Sequence, residues 1–521
     1  MIRGRPRSAT SHICVRVAHA LLGAAAGVVW LVLSLLTTRT DVPVAVDTGE
    51  VPVAAAPAPG EGDGEASTAD LVLPLIAVGT AAVLAGYGYL RRTRRARTRT
   101  TPGGAPVRPA GPPPAALDER AREALVEADG WVRTSREELA FAEALHGTAA
   151  VAPWARALRE AEAELSAAFR IRQRYDDGDP EDPAGRRQAL AAIIDRCREA
   201  GRRLDAEAAG FDRLRGLERD AREALEAAEA RVRELTARAE AARVTLGGLG
   251  RRYAPSATAP VTGYAGQAAE GLAFAADRLD RARGAADGGD RARAAGRLRA
   301  AEGALARVGV LVEGVERLAA ELPAAAELVP AALTGAEALL AGVRRRSAER
   351  GTASSAAVGE LRVRLRYADG VLAVVREELT GGPYDPLDVL RRVLRAVGAS
   401  DAERAGVLSV AALLVARSAT AAAADVVATH LRAVGAEART RLAEAQRLLA
   451  ADPPDPRTAD ALARRARDLA EQDIRRYGRP DAGAGGAGWA VPAGVLLGGE
   501  PDGGPPPSFG GPHTRARRSA G

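Results

Sequence analysis

Apolar positions along the chain fall into two regimes. Two uninterrupted apolar runs come first. Val17–Thr38 is apolar apart from His19 and a few hydroxyls, and Leu71–Leu90 carries no charge. Either is long enough to cross about 30 Å of hydrocarbon as a helix. From Ala116 to Gly478 the spacing is helical, with breaks predicted at Tyr175–Pro180, Tyr253–Gly263, Gly381–Pro383 and Asp452–Pro456. β-branched alternation is nowhere sustained, so no sheet is expected. The fold class that follows is all-α: two transmembrane helices, then a long cytoplasmic region of helical hairpins with coiled-coil character.

The helical spacing is clearest in two consecutive runs. Leu214, Leu217, Ala221, Ala224 and Ala228 step by three and four, and Val232, Leu235, Ala239, Ala242 and Leu246 repeat the pattern one residue out of phase. Leu214, Leu217, Ala221, Leu235 and Leu246 thus mark an Ala/Leu seam on which a second helix can dock. Glu218 to Arg222, Glu229 to Arg233 and Glu234 to Arg238 have the spacing and order of favourable helical ion pairs, each contributing roughly 0.3 kcal/mol.

Charge orients the two apolar runs. Arg3, Arg5, Arg7 and Arg16 precede the first, and Arg91, Arg92, Arg94, Arg95 and Arg97 follow the second. Residues 39–70 between them hold one Arg against four Asp and three Glu. By the positive-inside rule the N-terminus and everything after Arg91 face the cytoplasm of a bacterial plasma membrane. Tyr87 and Tyr89 occupy the interfacial aromatic position, and the arginines beside them would meet anionic headgroups. The first run can also be read as a signal segment, although it is long for one and lacks a nearby small-residue cleavage site.

The chain then divides as follows: a basic cytoplasmic N-terminus (1–16), the first span or signal segment (17–38), and a disordered extracytoplasmic loop (39–70). The second span (71–90) leads to a basic, Pro-rich linker (91–115) and a helical region (116–252). A loop (253–263), a second helical region (264–478) and a disordered Gly/Pro-rich tail (479–521) complete it.

Composition narrows the chemistry. Only 3% of the 521 residues are aromatic although 47% are hydrophobic, so the core must come from Ala, Val and Leu on closely packed helices. All 73 basic residues are Arg, and the chain has neither Lys nor Asn. A P-loop lysine, a Schiff-base lysine and an Asn oxyanion donor are thereby excluded. A net charge of +6 with interleaved acids argues against a nucleic-acid surface, Arg251-Arg252 and Arg344-Arg345-Arg346 reading as solvated helix faces.

Cys14 and Cys197 and five scattered histidines give neither a disulfide framework nor a zinc spacing, and Cys197 reads as a packed thiol. Asp176, Asp177, Asp179, Glu181 and Asp182 crowd one loop, but the glycine and glutamate of a calcium loop are misplaced. His146 and His430 lie in helical contexts with no nucleophile at a matching spacing. No catalytic residue, cofactor, metal or small-molecule substrate is expected.

The C-terminal part carries a family resemblance. Ser508-Phe509-Gly510-Gly511 followed by Thr514-Arg515-Ala516-Arg517-Arg518, the helix start Tyr384-Asp385-Pro386-Leu387, the stretch Val434–Ala445 and the helix end Asp473–Gly478 resemble actinobacterial membrane proteins that carry a TPM domain. The resemblance is specific over 384–478 and 505–521. It implies an extracytoplasmic αβα domain with acidic metal-binding residues and a proposed phosphatase activity. That domain would have to lie between the two apolar runs, where only residues 39–70 are found, so the TPM domain is expected to be missing and no site residue carries over.

The function expected is that of a non-enzymatic integral membrane protein. Its cytoplasmic helical domain would bind an unknown protein partner or itself at the cell envelope. A degenerate TPM-lineage hydrolase or its subunit is the alternative, followed by a membrane-tethered nucleic-acid binder.

Overall fold

The computed structural model describes residues 113–217, 219, 221–349, 355–398, 406–477 and 508–519. Both apolar runs, with Tyr87, Tyr89 and Arg91, Arg92, Arg94, Arg95 and Arg97, lie outside the described residues, as do the loop 39–70 and nearly all of the linker 91–115. The described residues are helical and contain no strand.

Three long helices open the fold: α1 (Pro114–His146), α2 (Thr148–Asp176) and α3 (Pro183–Arg215). Gly147 alone joins the first two, with φ at 82°, a conformation costly for any side chain with a Cβ. Asp182 starts α3 by accepting the amides of Ala184 and Gly185, with Pro183 at the first helical position. The three helices enclose Leu125, Val132, Leu158, Leu165, Phe169, Leu190, Ile193 and Leu204.

The next group is α4 (Arg222–Arg252), α5 (Tyr264–Asp287) and α6 (Arg291–Glu349). Helix α6 runs for 59 residues, roughly 90 Å at 1.5 Å per residue, and continues through Pro323 and Pro330. Its first part packs on α4 and α5 around Leu235, Leu279, Leu298, Leu305 and Val312. Its second part meets α7 (Ser355–Gly381), α8 (Pro386–Val397) and α9 (Gly406–Thr429), burying Leu372, Val389, Val393 and Leu408. Helices α10 (Ala436–Leu449) and α11 (Pro456–Tyr477) then close on α9 through Ala416, Val427, Leu442, Ala445, Ala463 and Ala466. Alanine at these crossings lets backbones approach where aromatics are scarce. Among the described residues, α6 and α9 are long and apolar enough to cross a membrane, by length and composition only.

Three expectations need correction. The run Leu214–Leu246 is not one helix: α3 ends at Gly216 in a left-handed turn (φ 56°), and α4 starts at Arg222. Leu-Ala spacing persists through the turn because Leu217 and Ala221 still face the core. The tail is not disordered to its end. Ser508–Gly511 leads into α12 (Pro512–Ser519), which packs against α3. The interval 253–263 also contains a helical turn, Pro255–Thr258, and a 3-10 turn, Ala259–Val261.

Candidate functional site: the C-terminal dock

The most specific polar arrangement among the described residues joins the end of the chain to α1 and α3. Asp205 on α3 accepts four hydrogen bonds at the start of α12. Its Oδ1 takes the amide of Gly511 at 2.9 Å, the amide of Thr514 at 3.0 Å and the Thr514 hydroxyl at 2.7 Å. Its Oδ2 takes the amide of His513 at 3.1 Å. The amides at a helix start lack intrahelical partners, and a carboxylate there also meets the positive end of the helix dipole. Here the cap comes from a residue some three hundred positions away in sequence.

Beside the cap, Phe509 is 1% exposed and stacks on Phe211 with ring centroids 4.6 Å apart. Trp154 meets Phe211 edge-on at 6.0 Å, and its indole N–H donates to the Glu207 carbonyl. The Gly510 amide donates to Ser135 Oγ at 3.2 Å, and Arg515 donates to Thr134 Oγ1.

The glycines have steric reasons. A Cβ on Gly511 would stand 2.2 Å from the Gly201 carbonyl oxygen, and one on Gly201 would stand 2.7 Å from Pro512 Cδ. Gly510 holds φ at +135°. The peptide Ser508–Thr514 therefore fits its groove through an aromatic anchor, a capped helix start and close approaches at Gly201 and Gly511 that only glycine permits.

The sequence-derived seam goes elsewhere. Leu217, Ala221 and Leu235 are buried within the chain's own core, Leu246 is partly buried against it, and Leu214 packs against the α1–α3 core. Arg238 does pair with Glu234, at 3.5 Å, but Glu229 pairs across to Arg283.

Buried ion pairs lie at helix crossings. Arg439 on α10 is 2% exposed and binds Asp129 of α1, whose carboxylate also accepts Arg133 Nε at 2.8 Å. Burial alone would push Asp129 up; the two guanidiniums hold its carboxyl below its ordinary range. Arg439 further donates to the carbonyls of Val434, at 3.0 Å, and Leu431. Arg215 of α3 binds Glu302 of α6 and approaches Glu138 of α1 at 3.7 Å. Arg317 of α6 binds Asp425 of α9, and Ser418 donates to Glu321 at 2.6 Å.

Two carboxylates face the one Arg215 guanidinium, and burial pushes Glu302 up to about 7. A folded-state carboxyl above its unfolded value stabilises the fold at low pH. That stability is complete below the ordinary glutamate range near 4.5 and is lost as pH rises through about 7. Glu302→Gln should therefore flatten the stability profile across that window, as read from denaturation midpoints at stepped pH. An unchanged slope would show that Glu302 is ionised throughout.

Several of the remaining sequence candidates have local structural roles. Cys197 is 1% exposed and its thiol is pushed up to about 12 by burial, which leaves it protonated at neutral pH. In the acidic loop, Asp176 binds Arg172 at 2.8 Å, Asp177 accepts Gln173 and Asp182 caps α3. His430 closes α9, its Nδ1 2.9 Å from Thr429 Oγ1, and burial lowers its pKa. Arg344 pairs with Asp369, and the Arg252 guanidinium lies over the Tyr253 ring.

Surface clefts occur among the described residues. One, of about 370 Å³, lies between α1 and α3 beside Glu123, Trp131, Ile194 and Cys197. Another, of about 630 Å³, lies at the α3–α4 turn with Arg219, Arg222, Glu226, Glu229 and Arg283 in its wall. No group of three or more potential metal ligands occurs among the described residues.

Sequence reasoning missed the dock because its receptor is non-local. The local signals were an isolated Phe between prolines and glycines, followed by Pro at a helix start, within the segment that carries the family resemblance. Comparison with known proteins adds a relationship. No family model matches the chain, and no solved structure matches it. The chain is 31% identical over 408 residues to the UPF0603 proteins of two strains of Mycobacterium tuberculosis. The alignment takes in 74% of this chain and 61% of each relative, so the chain spans about three-fifths of the length of the curated proteins to which it is similar.

Proposed function

We propose that the chain is a non-enzymatic integral membrane protein whose helical domain binds other proteins or a second copy of itself at the cell envelope. The observation that carries this reading is the dock. The α1–α3 bundle recognises a linear peptide through Phe211, Asp205, Ser135 and Gly201, and in sequence that peptide follows α11 by residues 478–507. A peptide of the same chemistry on another chain would meet the same groove. Its own tail competes at the high effective concentration of a tethered ligand, so exchange is favoured where copies are crowded at a membrane.

The test uses the full chain in detergent and a fluorescent peptide of residues 505–521. Phe509→Ala empties the groove and leaves Asp205 in place; Asp205→Ala damages the groove and leaves the tail intact. The peptide should bind Phe509→Ala saturably and Asp205→Ala at least tenfold more weakly, and mixing the two variants should give a heterodimer by light scattering. Failure of the emptied groove to bind the peptide would remove the reading.

A further inference from the structure

We propose that the dock reads one sequence pattern, aromatic-Gly-Gly-Pro-x-Thr-Arg at the start of a helix, and that a protein segment bearing this pattern is the partner it takes. The proposal rests on the groove's accepting a peptide from another chain, and it adds which peptides enter. Hydrogen bonding at the helix start is complete. The amides of Gly511, His513 and Thr514 donate to Asp205, and the Arg515 amide donates to the Gly511 carbonyl at 3.2 Å. Pro512, between them, has no amide to place. With the Thr514 hydroxyl as a further donor, Asp205 already accepts four hydrogen bonds through its two oxygens. Any other residue at position 512 would bring one more amide to that carboxylate. Serine at position 514 keeps the hydroxyl donor, whereas valine keeps the shape and removes it. An acid there would face Asp205 with like charge.

Sterics fix the positions around the hydroxyl. A Cβ on Gly511 would run into the Gly201 backbone, and one on Gly510 would stand 2.7 Å from Thr514, so both glycines are needed to seat the threonine. Pro512 Cδ and Trp131 Cζ3 lie 2.7 and 2.9 Å from where a Cβ of Gly201 would stand, which leaves the proline ring no spare room. Phe509 enters against Phe211, and Arg515 reaches Thr134 and, at 3.4 Å, the Ser508 carbonyl. The Thr134 hydroxyl gives its own proton to the Gly130 carbonyl at 2.8 Å, so it meets Arg515 as an acceptor. His513 is exposed and its amide is what Asp205 takes, so that position is free to vary. The chain also contains a decoy. Thr380-Gly381-Gly382-Pro383-Tyr384-Asp385-Pro386 repeats the Gly-Gly-Pro, but Thr380 stands in the aromatic position, Asp385 in that of Thr514 and Pro386 in that of Arg515. Its Asp385 caps its own helix, accepting the Asp388 amide at 3.0 Å.

The experiment titrates the full-length Phe509→Ala protein in detergent with labelled peptides of residues 505–521 that carry single substitutions. Every further change is then in the ligand, and none can unfold the receptor. Gly511→Ala in the peptide should weaken binding on the order of 100-fold, because the obstacle is backbone. Thr514→Val and Pro512→Ala should each cost about tenfold, whereas Thr514→Ser and His513→Ala should stay within about threefold of the parent peptide. A peptide of residues 376–392, which carries the decoy, should bind no better than the Gly511→Ala peptide. Parent-like binding by the Thr514→Val and Pro512→Ala peptides would overturn the proposal and leave the dock standing, as a groove that grips any aromatic on a flexible chain. So would tight binding of the decoy. Failure of the parent peptide itself to bind is a separate result, which removes the dock as a receptor for other chains.

Discussion

Phe509→Ala is expected to free the last dozen residues from the helical domain while the rest of the fold stays intact. Phe509 is sealed between Phe211 and the α1–α3 core, and truncating a buried Phe costs about 3–5 kcal/mol through lost transfer energy and the cavity left behind. The loss falls on the docking equilibrium of one peptide, so that peptide should open by two to three orders of magnitude more often. Hydrogen exchange gives the direct reading. The amides of Gly511, His513 and Thr514, which donate to Asp205, should lose protection together, while amides in α5 and α6 keep theirs. Protection that survives at Gly511 and Thr514 would mean that Asp205 alone holds the tail, and that the ring contributes little.

The larger effect on global stability should come from Arg439→Met. Arg439 reaches from α10 to Asp129 on α1 and also satisfies the Val434 and Leu431 carbonyls in the turn that follows α9. Removing the guanidinium leaves Asp129, 5% exposed, with Arg133 as its remaining guanidinium partner, and leaves two carbonyls without that donor. Breaking a buried pair from one side costs about 3–5 kcal/mol, because the surviving charge stays out of water. Adding Asp129→Asn should recover part of that loss, and the coupling from a double-mutant cycle in urea measures it. A cost below about 1 kcal/mol for Arg439→Met would show that water reaches Asp129 and takes over.

Local signals in the sequence were good guides to local structure. Tyr175–Pro180, Gly381–Pro383 and Asp452–Pro456 all mark real helix ends, because proline and left-handed glycine act on their own neighbours. Asp385-Pro386 likewise starts α8, with Asp385 capping the Asp388 amide. The break at Gly147 was missed, since a lone glycine inside a helical pattern is tolerated more often than it turns the chain. The turn at 216–221 was hidden because its leucine and alanine stay in the core on both sides. The dock and the Asp129–Arg439 pair depend on contacts between residues some three hundred positions apart, where spacing carries no information. Seam residues such as Leu235 are buried in the chain's own core, and their spacing alone could not say which surface they would meet.

The length of α6 has a mechanical consequence. One unbroken helix borders the α4–α5 core at its start and the α8–α9 core farther along, and Arg215–Glu302 ties its first turns to the opening bundle. No short loop between these cores can act as a hinge, because the element that joins them is itself part of both interiors. A load applied where α7 meets its end would be carried along the helix axis to the opening bundle, as along a strut. The two regions should therefore lose their structure in one cooperative event, without a stage at which either melts alone.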